Sequence, residues 1–259
     1  MTDAAASPPS PNAESPSALD PGGSVRLITT ELGETVLLDR PARRNALTVP
    51  LWRALAETVR TAGATTTAPL YVAGAGGYFC SGADLGSLGW ARSAPERAEE
   101  FVHTVVEALL TIHLVPREVI AVVDGGAAGG GVEIMAACDR RIAIGEPTLV
   151  FPFGHHGMQL DDFTRWRLHQ LVGDAEAERL VDGRHVVLTD EACRLGLFDE
   201  QRPDLATQPA QDDRDSVDAG VTRHTGTFGD QPRYAAGLDD LPAAVARAAQ
   251  PMLAAFRPT

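Results

Sequence analysis

Residues 119–133 read Val-Ile-Ala-Val-Val-Asp-Gly-Gly-Ala-Ala-Gly-Gly-Gly-Val-Glu: an apolar run passes into a glycine turn, and the turn opens a helix that carries one acid. This order restricts the folds open to the chain. A short apolar run bounded by turn residues is a buried strand, and strands that alternate with helices imply βαβ units and parallel pairing. Gly129, Gly130 and Gly131 allow the backbone to approach a ligand closely. The first amides of the following helix are unpaired donors reinforced by the helix dipole, and such donors suit a developing enolate or thioester oxyanion.

The rest of the chain supports an α/β fold. Val25 to Thr30 and Thr35 to Asp39 read as a strand pair around a Gly33 turn, followed by a helix from about Val49 to Thr61. Leu70 to Ala73, Val119 to Val123 and Arg141 to Ile144 are apolar strands, while Arg97 to His113 and Gly130 to Ala137 are helical between them. Three short helices are expected over Phe163 to Leu171, Ala175 to Val181 and Asp190 to Leu195, and a last one over Leu241 to Phe256. The predicted organisation is a disordered N-terminal tail over 1–24, a core over 25–200, a loop or linker over 201–238 that is dense in Asp, Gln, Thr and Gly, and a C-terminal helix within 239–259.

Composition narrows the chemistry. With 259 residues and 44% hydrophobic content the chain can bury the core of one domain. A net charge of -13 argues against a nucleic-acid partner and against an anionic membrane surface. Every basic residue is arginine, which excludes a Schiff-base lysine, a lysine nucleophile and a Walker-type phosphate loop. Cys80, Cys138 and Cys193 are scattered among apolar and small residues, so they read as reduced thiols of a cytoplasmic protein. The first 24 residues lack the basic and apolar regions of a signal peptide, and no run approaches the ~20 apolar residues of a membrane span. No spacing of His or carboxylates points to a metal.

A second glycine-rich turn, Gly74 to Gly77, leads into Tyr78-Phe-Cys-Ser-Gly-Ala-Asp-Leu85. Together with Arg43-Arg-Asn-Ala-Leu47 and Cys138-Asp-Arg-Arg-Ile-Ala143, these segments resemble the crotonase (enoyl-CoA hydratase/isomerase) superfamily in order and spacing, over about residues 25 to 200. The resemblance implies a spiral of ββα units with a short helical C-terminal region, and an oxyanion hole made by the backbone amides of Ala83 and Gly130. It implies contacts to coenzyme A at Arg43, Ala46, Asp84 and Leu85; Arg43 reads equally as a solvated surface residue, and Asp84 as the N-cap of the next helix. No separate cofactor is expected, because coenzyme A enters as part of the substrate. The implied partners are an acyl-CoA or carrier-bound acyl thioester, together with further copies of the chain in a homotrimer or hexamer.

The acids decide the reaction. Glu133 stands where hydratases of this family carry one of two catalytic glutamates, and its bland role is a favourable charge at a helix N-terminus. By the same count the second glutamate falls on Phe153, after Pro152, so that acid is absent and Phe153 becomes an apolar wall. Asp161 matches a position where some crotonases place a working aspartate, as base or nucleophile, while Asp162 before Phe163-Thr-Arg-Trp166 reads as a helix cap. His155 and His156 lie between these residues and could carry a proton in place of the missing glutamate. The leading expectation is an enoyl-CoA hydratase or double-bond isomerase. The alternatives are a specialised crotonase doing decarboxylation, dehydration or thioester hydrolysis, and a catalytically degenerate binding or assembly partner.

Overall fold

The computed structural model describes residues 22–154, 158–205 and 240–256. Within them one seven-stranded sheet carries the architecture, in the order β1-β2-β3-β4-β5-β6, with β7 also paired to β5. The hairpin expected around Gly33 is present as β1 (Ser24–Thr30) antiparallel to β2 (Gly33–Asp39). Then β2, β3 (Leu70–Gly74), β4 (Val119–Ala128) and β5 (Arg140–Phe151) run parallel to one another. Parallel neighbours need long crossovers. The chain supplies them as α1 (Val49–Gly63) between β2 and β3, α2 (Leu85–Ala91) and α3 (Pro95–Leu114) between β3 and β4, and α4 (Gly130–Ala137) between β4 and β5.

Apolar spacing explains the packing. Along α1, Leu51, Trp52, Leu55, Ala56, Val59 and Ala62 recur at three- and four-residue steps and are all buried, which gives one apolar stripe facing α3 and the sheet. Strand β4 is buried on both faces. Val119, Ala121 and Val123 join the main core under the helices, whereas Ile120 and Val122 form a smaller cluster with Ile142 and Ile144 on the opposite face. This two-sided burial is the reason the segment reads as a continuous hydrophobic run without alternation.

Beyond β5 come α5 (Asp162–Val172), α6 (Asp174–Val181), β6 (His185–Val187), α7 (Thr189–Leu195) and β7 (Glu200–Arg202). The Leu171-Val-Gly173 step is the joint between α5 and α6, with Gly173 at a φ of +79°. Two short strands were not foreseen. Strand β6 holds the sheet edge against β5, and β7 extends the sheet two residues past the expected end of the core. The C-terminal helix is two helices, α8 (Leu241–Ala248) and α9 (Gln250–Ala254), since Pro251 restarts the chain at the first turn of α9. Both pack on α3. The expected N-terminal tail up to residue 21, most of the 201–238 linker and His155 and His156 lie outside the described residues. Among those described, no helix is long and apolar enough to cross a membrane, and the three cysteines are unpaired thiols.

Candidate active site

The Arg43-Arg-Asn-Ala-Leu47 loop underlies the turn that follows β3. Arg44 and Asn45 take left-handed backbone conformations at φ +48° and +55°, and asparagine tolerates that region better than most residues. The buried Asn45 amide nitrogen donates to the carbonyls of Ala75 (2.9 Å), Tyr78 (2.6 Å) and Phe79 (3.2 Å), while its Oδ1 accepts from the Arg40 amide. One side chain therefore sets the path of the whole 75–79 turn.

From there the chain runs beside the glycine turn of β4. Leu47 donates to the Gly82 carbonyl at 2.8 Å and accepts from the Asp84 amide at 2.9 Å. A parallel ladder of this kind leaves the amide of the intervening Ala83 pointing away from Leu47. The Cys80 carbonyl accepts from the Ala128 amide, 3.0 Å away. Gly82, at φ +89°, has no room for a side chain, because a Cβ there would stand 2.6 Å from the Gly130 nitrogen and 2.7 Å from the Ala128 carbonyl. A Cβ on Gly131 would stand 2.1 Å from the Cys80 carbonyl. The two turns are thus in backbone contact. Neither the Ala83 nor the Gly130 amide has a hydrogen-bond acceptor among the described residues.

Two acids lie behind these amides. Glu133 is in the first turn of α4 and only 5% exposed, and its Oε1 has no hydrogen-bond partner. Asp161 is fully buried; its Oδ1 accepts from the Thr164 amide at 3.0 Å and its Oδ2 has no partner. The helix cap is therefore Asp161 and not Asp162, which sits inside the first turn of α5. Asp161 caps with one oxygen and leaves the other unclaimed. Arg167 positions this helix against α4, donating to the carbonyls of Ala136 (2.9 Å) and Cys138 (3.0 Å) at the α4 C-terminus, where a cation is favoured.

Burial raises the Glu133 pKa well above the ordinary carboxylate value, and the nearby Asp161 charge raises it further. Burial raises Asp161 as well, against the opposing pull of its hydrogen bonds at the α5 N-terminus. Two such carboxyls resist being charged together, so the charge on one favours the protonated form of the other. Cys80 lies beside the same turn, but burial pushes its thiol up to about 12, which leaves it unsuited to attack a thioester.

The remaining expected residues divide between rim and core. Ala46 is buried, and its carbonyl accepts from Arg40. Asp84 caps α2, its Oδ1 accepting from the amides of Gly86 and Ser87, while its Oδ2 pairs with Arg40 at 2.8 Å. Burial pushes Asp84 up, but Arg40 and the two amides outweigh it and hold the group below its usual value. Its carboxylate is thus taken up by the fold. Arg43 is exposed and Leu85 is 82% exposed, so these two present side chains at the outer edge of the site. Phe153 is 3% exposed and packs edge-on against Phe151, centroids 6.4 Å apart.

Three residues that organise the site were not singled out in the sequence. Arg40 and Asn45 act at a distance in the chain from the groups they hold, and only the left-handed tolerance of asparagine hinted at Asn45. Trp52 reads as helix core by its spacing, yet its Cζ2–Cη2 edge lies against Gly130.

Over residues 34–209 the chain matches the model of a family described as enoyl-CoA hydratase/isomerase. The chain belongs to that family. A probable enoyl-CoA hydratase, echA6, of Mycobacterium leprae is 33% identical over 167 residues, 63% of this chain and 65% of that protein. An ethylmalonyl-CoA decarboxylase of Danio rerio is 32% identical over 186 residues, covering 70% of this chain and 61% of that one. The chain thus spans just under two thirds of the length of these curated relatives. The crystal structure of an enoyl-CoA hydratase from Bacillus halodurans superposes with a TM-score of 0.71 over 90% of this chain and 95% of that one, at 23% identity, and so shares the crotonase fold.

Proposed function

We propose that this family member processes an acyl-CoA thioester through an enolate held by the Ala83 and Gly130 amides, and that it moves a double bond or adds water across one. The observation that carries this reading is the pair of unclaimed amides on two abutting turns, with a buried acid one helical turn away. A thioester carbonyl oxygen that accepts from both amides can take the charge released when a proton leaves the α-carbon. The amides lie on rigid, mutually braced backbone, so they need little reorganisation as charge develops.

Between the two reactions, the acid pair favours isomerisation. One carboxylate removes the α-proton of a 3-enoyl thioester, the C–H electrons pass into a dienolate, and the protonated partner returns a proton at the γ-carbon. The bond moves and the pair ends with its single proton exchanged. Asp161 suits the base and Glu133 the acid, because Glu133 is raised further. Hydration instead calls for a water held between two acids, and the position expected to supply the second one on the 152–153 turn is Phe153.

Coenzyme A enters as part of the substrate, with Arg43 and Leu85 at its rim, and a carrier-bound thioester would present the same reacting atoms. Family membership supports a homotrimer or hexamer, and three unpaired thiols support a reducing, cytoplasmic setting. The test is mass-spectrometric turnover of enoyl-, dienoyl-, 3-hydroxyacyl- and alkylmalonyl-CoA thioesters in deuterated water. Deuterium uptake without other mass change, abolished by Glu133→Gln and by Asp161→Asn, is expected. Gain of the mass of water would move the reading to hydration, and loss of the mass of carbon dioxide to decarboxylation, the activity named for the Danio rerio relative. Unchanged thioesters throughout would sink it.

A further inference from the structure

The proposed chemistry leaves one buried reactive group unused, the Cys80 thiol, which is fully buried at the start of the 80–83 turn. A buried cysteine ordinarily serves as a small apolar residue. This one makes two hydrogen bonds. Its Sγ donates to the Asn45 carbonyl at 3.1 Å and accepts from the Gly82 amide at 3.3 Å. Both residues are buried, and among the described residues neither of these backbone groups has another hydrogen-bond partner. Without the thiol the turn would hold an orphaned donor and an orphaned acceptor, each bearing its full desolvation cost.

The Gly82 end bears on the chemistry. Glycine has more backbone freedom than any other residue, so its φ and ψ must be fixed from outside. At Gly82 hydrogen bonds on both flanks do this. Its N–H is held by Cys80 Sγ, and its carbonyl is held by the Leu47 amide at 2.8 Å. That carbonyl and the Ala83 N–H belong to one planar trans peptide, so they point in opposite directions. The thiol and Leu47 therefore aim the Ala83 N–H between them. Tolerance is small, because Gly82 already abuts the Gly130 nitrogen and the Ala128 carbonyl.

The other end of the thiol is anchored as firmly. Asn45 is pinned by its side chain to the carbonyls of Ala75, Tyr78 and Phe79, so its own carbonyl is a fixed acceptor. On a third side, a Cβ on Gly131 would stand 3.1 Å from Cys80 Cβ, so the first turn of α4 packs directly on this residue. Burial pushes the thiol up to about 12, which keeps it protonated near neutral pH and able to donate and accept at once.

We infer that Cys80 is a positioning residue: its thiol couples the Asn45 carbonyl to the Gly82 amide and thereby sets the direction of the Ala83 N–H that the reaction uses. This rests on the enolate reading of the site and deepens it, since one of the two backbone donors then depends on a particular side chain.

The test compares Cys80→Ser, Cys80→Ala and Cys80→Val with wild type. Serine keeps a group that donates and accepts, alanine removes it, and valine replaces it with apolar volume. One measurement is the infrared stretch of the carbon-13-labelled carbonyl of bound butyryl-CoA, which falls in frequency as the oxygen accepts hydrogen bonds. The other is kcat and KM for the thioester that wild type turns over. Positioning predicts that serine keeps the lowered frequency and a kcat within about threefold of wild type, whereas alanine and valine lose part of the shift and about tenfold in kcat, with KM within about twofold. Packing alone predicts the reverse order, valine best tolerated and serine worst, and that order overturns the inference. Equal carbonyl frequencies in wild type and all three variants overturn it too, while leaving the enolate reading intact. A wild-type frequency no lower than that of free butyryl-CoA overturns both. Should Cys80→Ala and Cys80→Val not fold, the S–H stretch of wild type, identified by its absence from Cys80→Ser, decides. A frequency below that of an unbonded thiol supports the inference, and an unbonded frequency overturns it.

Discussion

The two halves of the site are built by opposite means. The side proposed as the oxyanion hole, residues 80–83 and 128–131, is backbone: glycines without room for a Cβ, carbonyls paired across the turns, and two amides left over. The acid side is side chains: Glu133 and Asp161, each buried with one unpartnered oxygen. The first half is stable because nearly every backbone group in it is paired. The second stores unfavourable energy, since buried polar atoms without partners cost free energy until a ligand supplies them. On the proposed function, the common part of the chemistry sits where sequence change is sterically forbidden, and the part that selects a reaction sits where side chains can change.

The largest effect should come from breaking the backbone half. Gly82→Ala drives a Cβ into the Gly130 nitrogen and the Ala128 carbonyl, and both are main-chain atoms that cannot rotate aside. The left-handed φ of Gly82 adds strain for any other residue. The turns must separate, which misplaces the Ala83 and Gly130 amides together. Removal of one such donor costs about 3–4 kcal/mol of transition-state stabilisation, or roughly 10²–10³ in kcat. Steady-state kinetics should show at least that loss, and circular dichroism should show a retained fold with a lower melting temperature. A variant with kcat within a few-fold of wild type would refute the assignment of these amides.

Breaking the acid half should have the reverse signature, with activity lost and stability gained. Glu133 has a folded pKa above its unfolded one, so its contribution to stability is fully present below the unfolded carboxylate pKa and is lost as pH rises through the folded value. Glu133→Gln removes the ionisation and with it that loss. Between about pH 5 and about pH 8, the ordinary carboxylate range upward, the melting temperature of wild type should fall more than that of the variant. The retained Asp161 keeps a smaller slope of the same sign, since its pKa is also raised. If the two curves run parallel, the glutamate is not the buried, neutral acid inferred from the structure.

The same division explains what could be read from the sequence. The helix over Gly130–Ala137, the hairpin around Gly33 and the helix after the Leu47 loop were legible because glycine spacing and apolar runs are local signals. The two glycine turns that meet at Gly82 and Gly130 were singled out through a family resemblance carried by those same glycines. Strands β6 and β7 are three residues each and owe their existence to β5, which no local pattern reveals. Asp161 and Asp162 are adjacent and chemically alike, so choosing the cap needed the entry angle of α5. Arg40 illustrates the same limit. It bonds the Ala46 carbonyl and Asp84, and a partner 44 residues away has no signature in spacing.

Phe153 gives a smaller effect, and one that separates wall from machinery. It is 3% exposed and packs edge-on against Phe151, so Phe153→Ala should cost about 3–4 kcal/mol in chemical denaturation, the usual range for removing a buried phenyl ring. The Ala83 and Gly130 amides are fixed by other contacts, so on the proposed function kcat on short acyl chains should change by less than tenfold. A larger loss in kcat than in stability would mean that the ring touches the reacting atoms.

Arg43 should show the smallest effect, and the reason lies in where the loop keeps its strength. The residues that set the turn are Asn45, through three carbonyls, and Arg40, through Asp84 and the Ala46 carbonyl. Arg43 contributes to that framework only its backbone carbonyl, which accepts from the Ser81 hydroxyl at 3.1 Å, and its guanidinium is free to solvent. Arg43→Ala therefore leaves the turn in place. An exposed cation meeting a phosphate contributes about 0.2–1 kcal/mol, screened by salt. The expected result is a KM for acyl-CoA raised about two- to fivefold at low ionic strength, converging with wild type at high salt, with kcat unchanged. A fall in kcat would place Arg43 inside the machinery of the first half, and a KM identical to wild type at low salt would make it a solvated surface arginine, the other reading its sequence position allows.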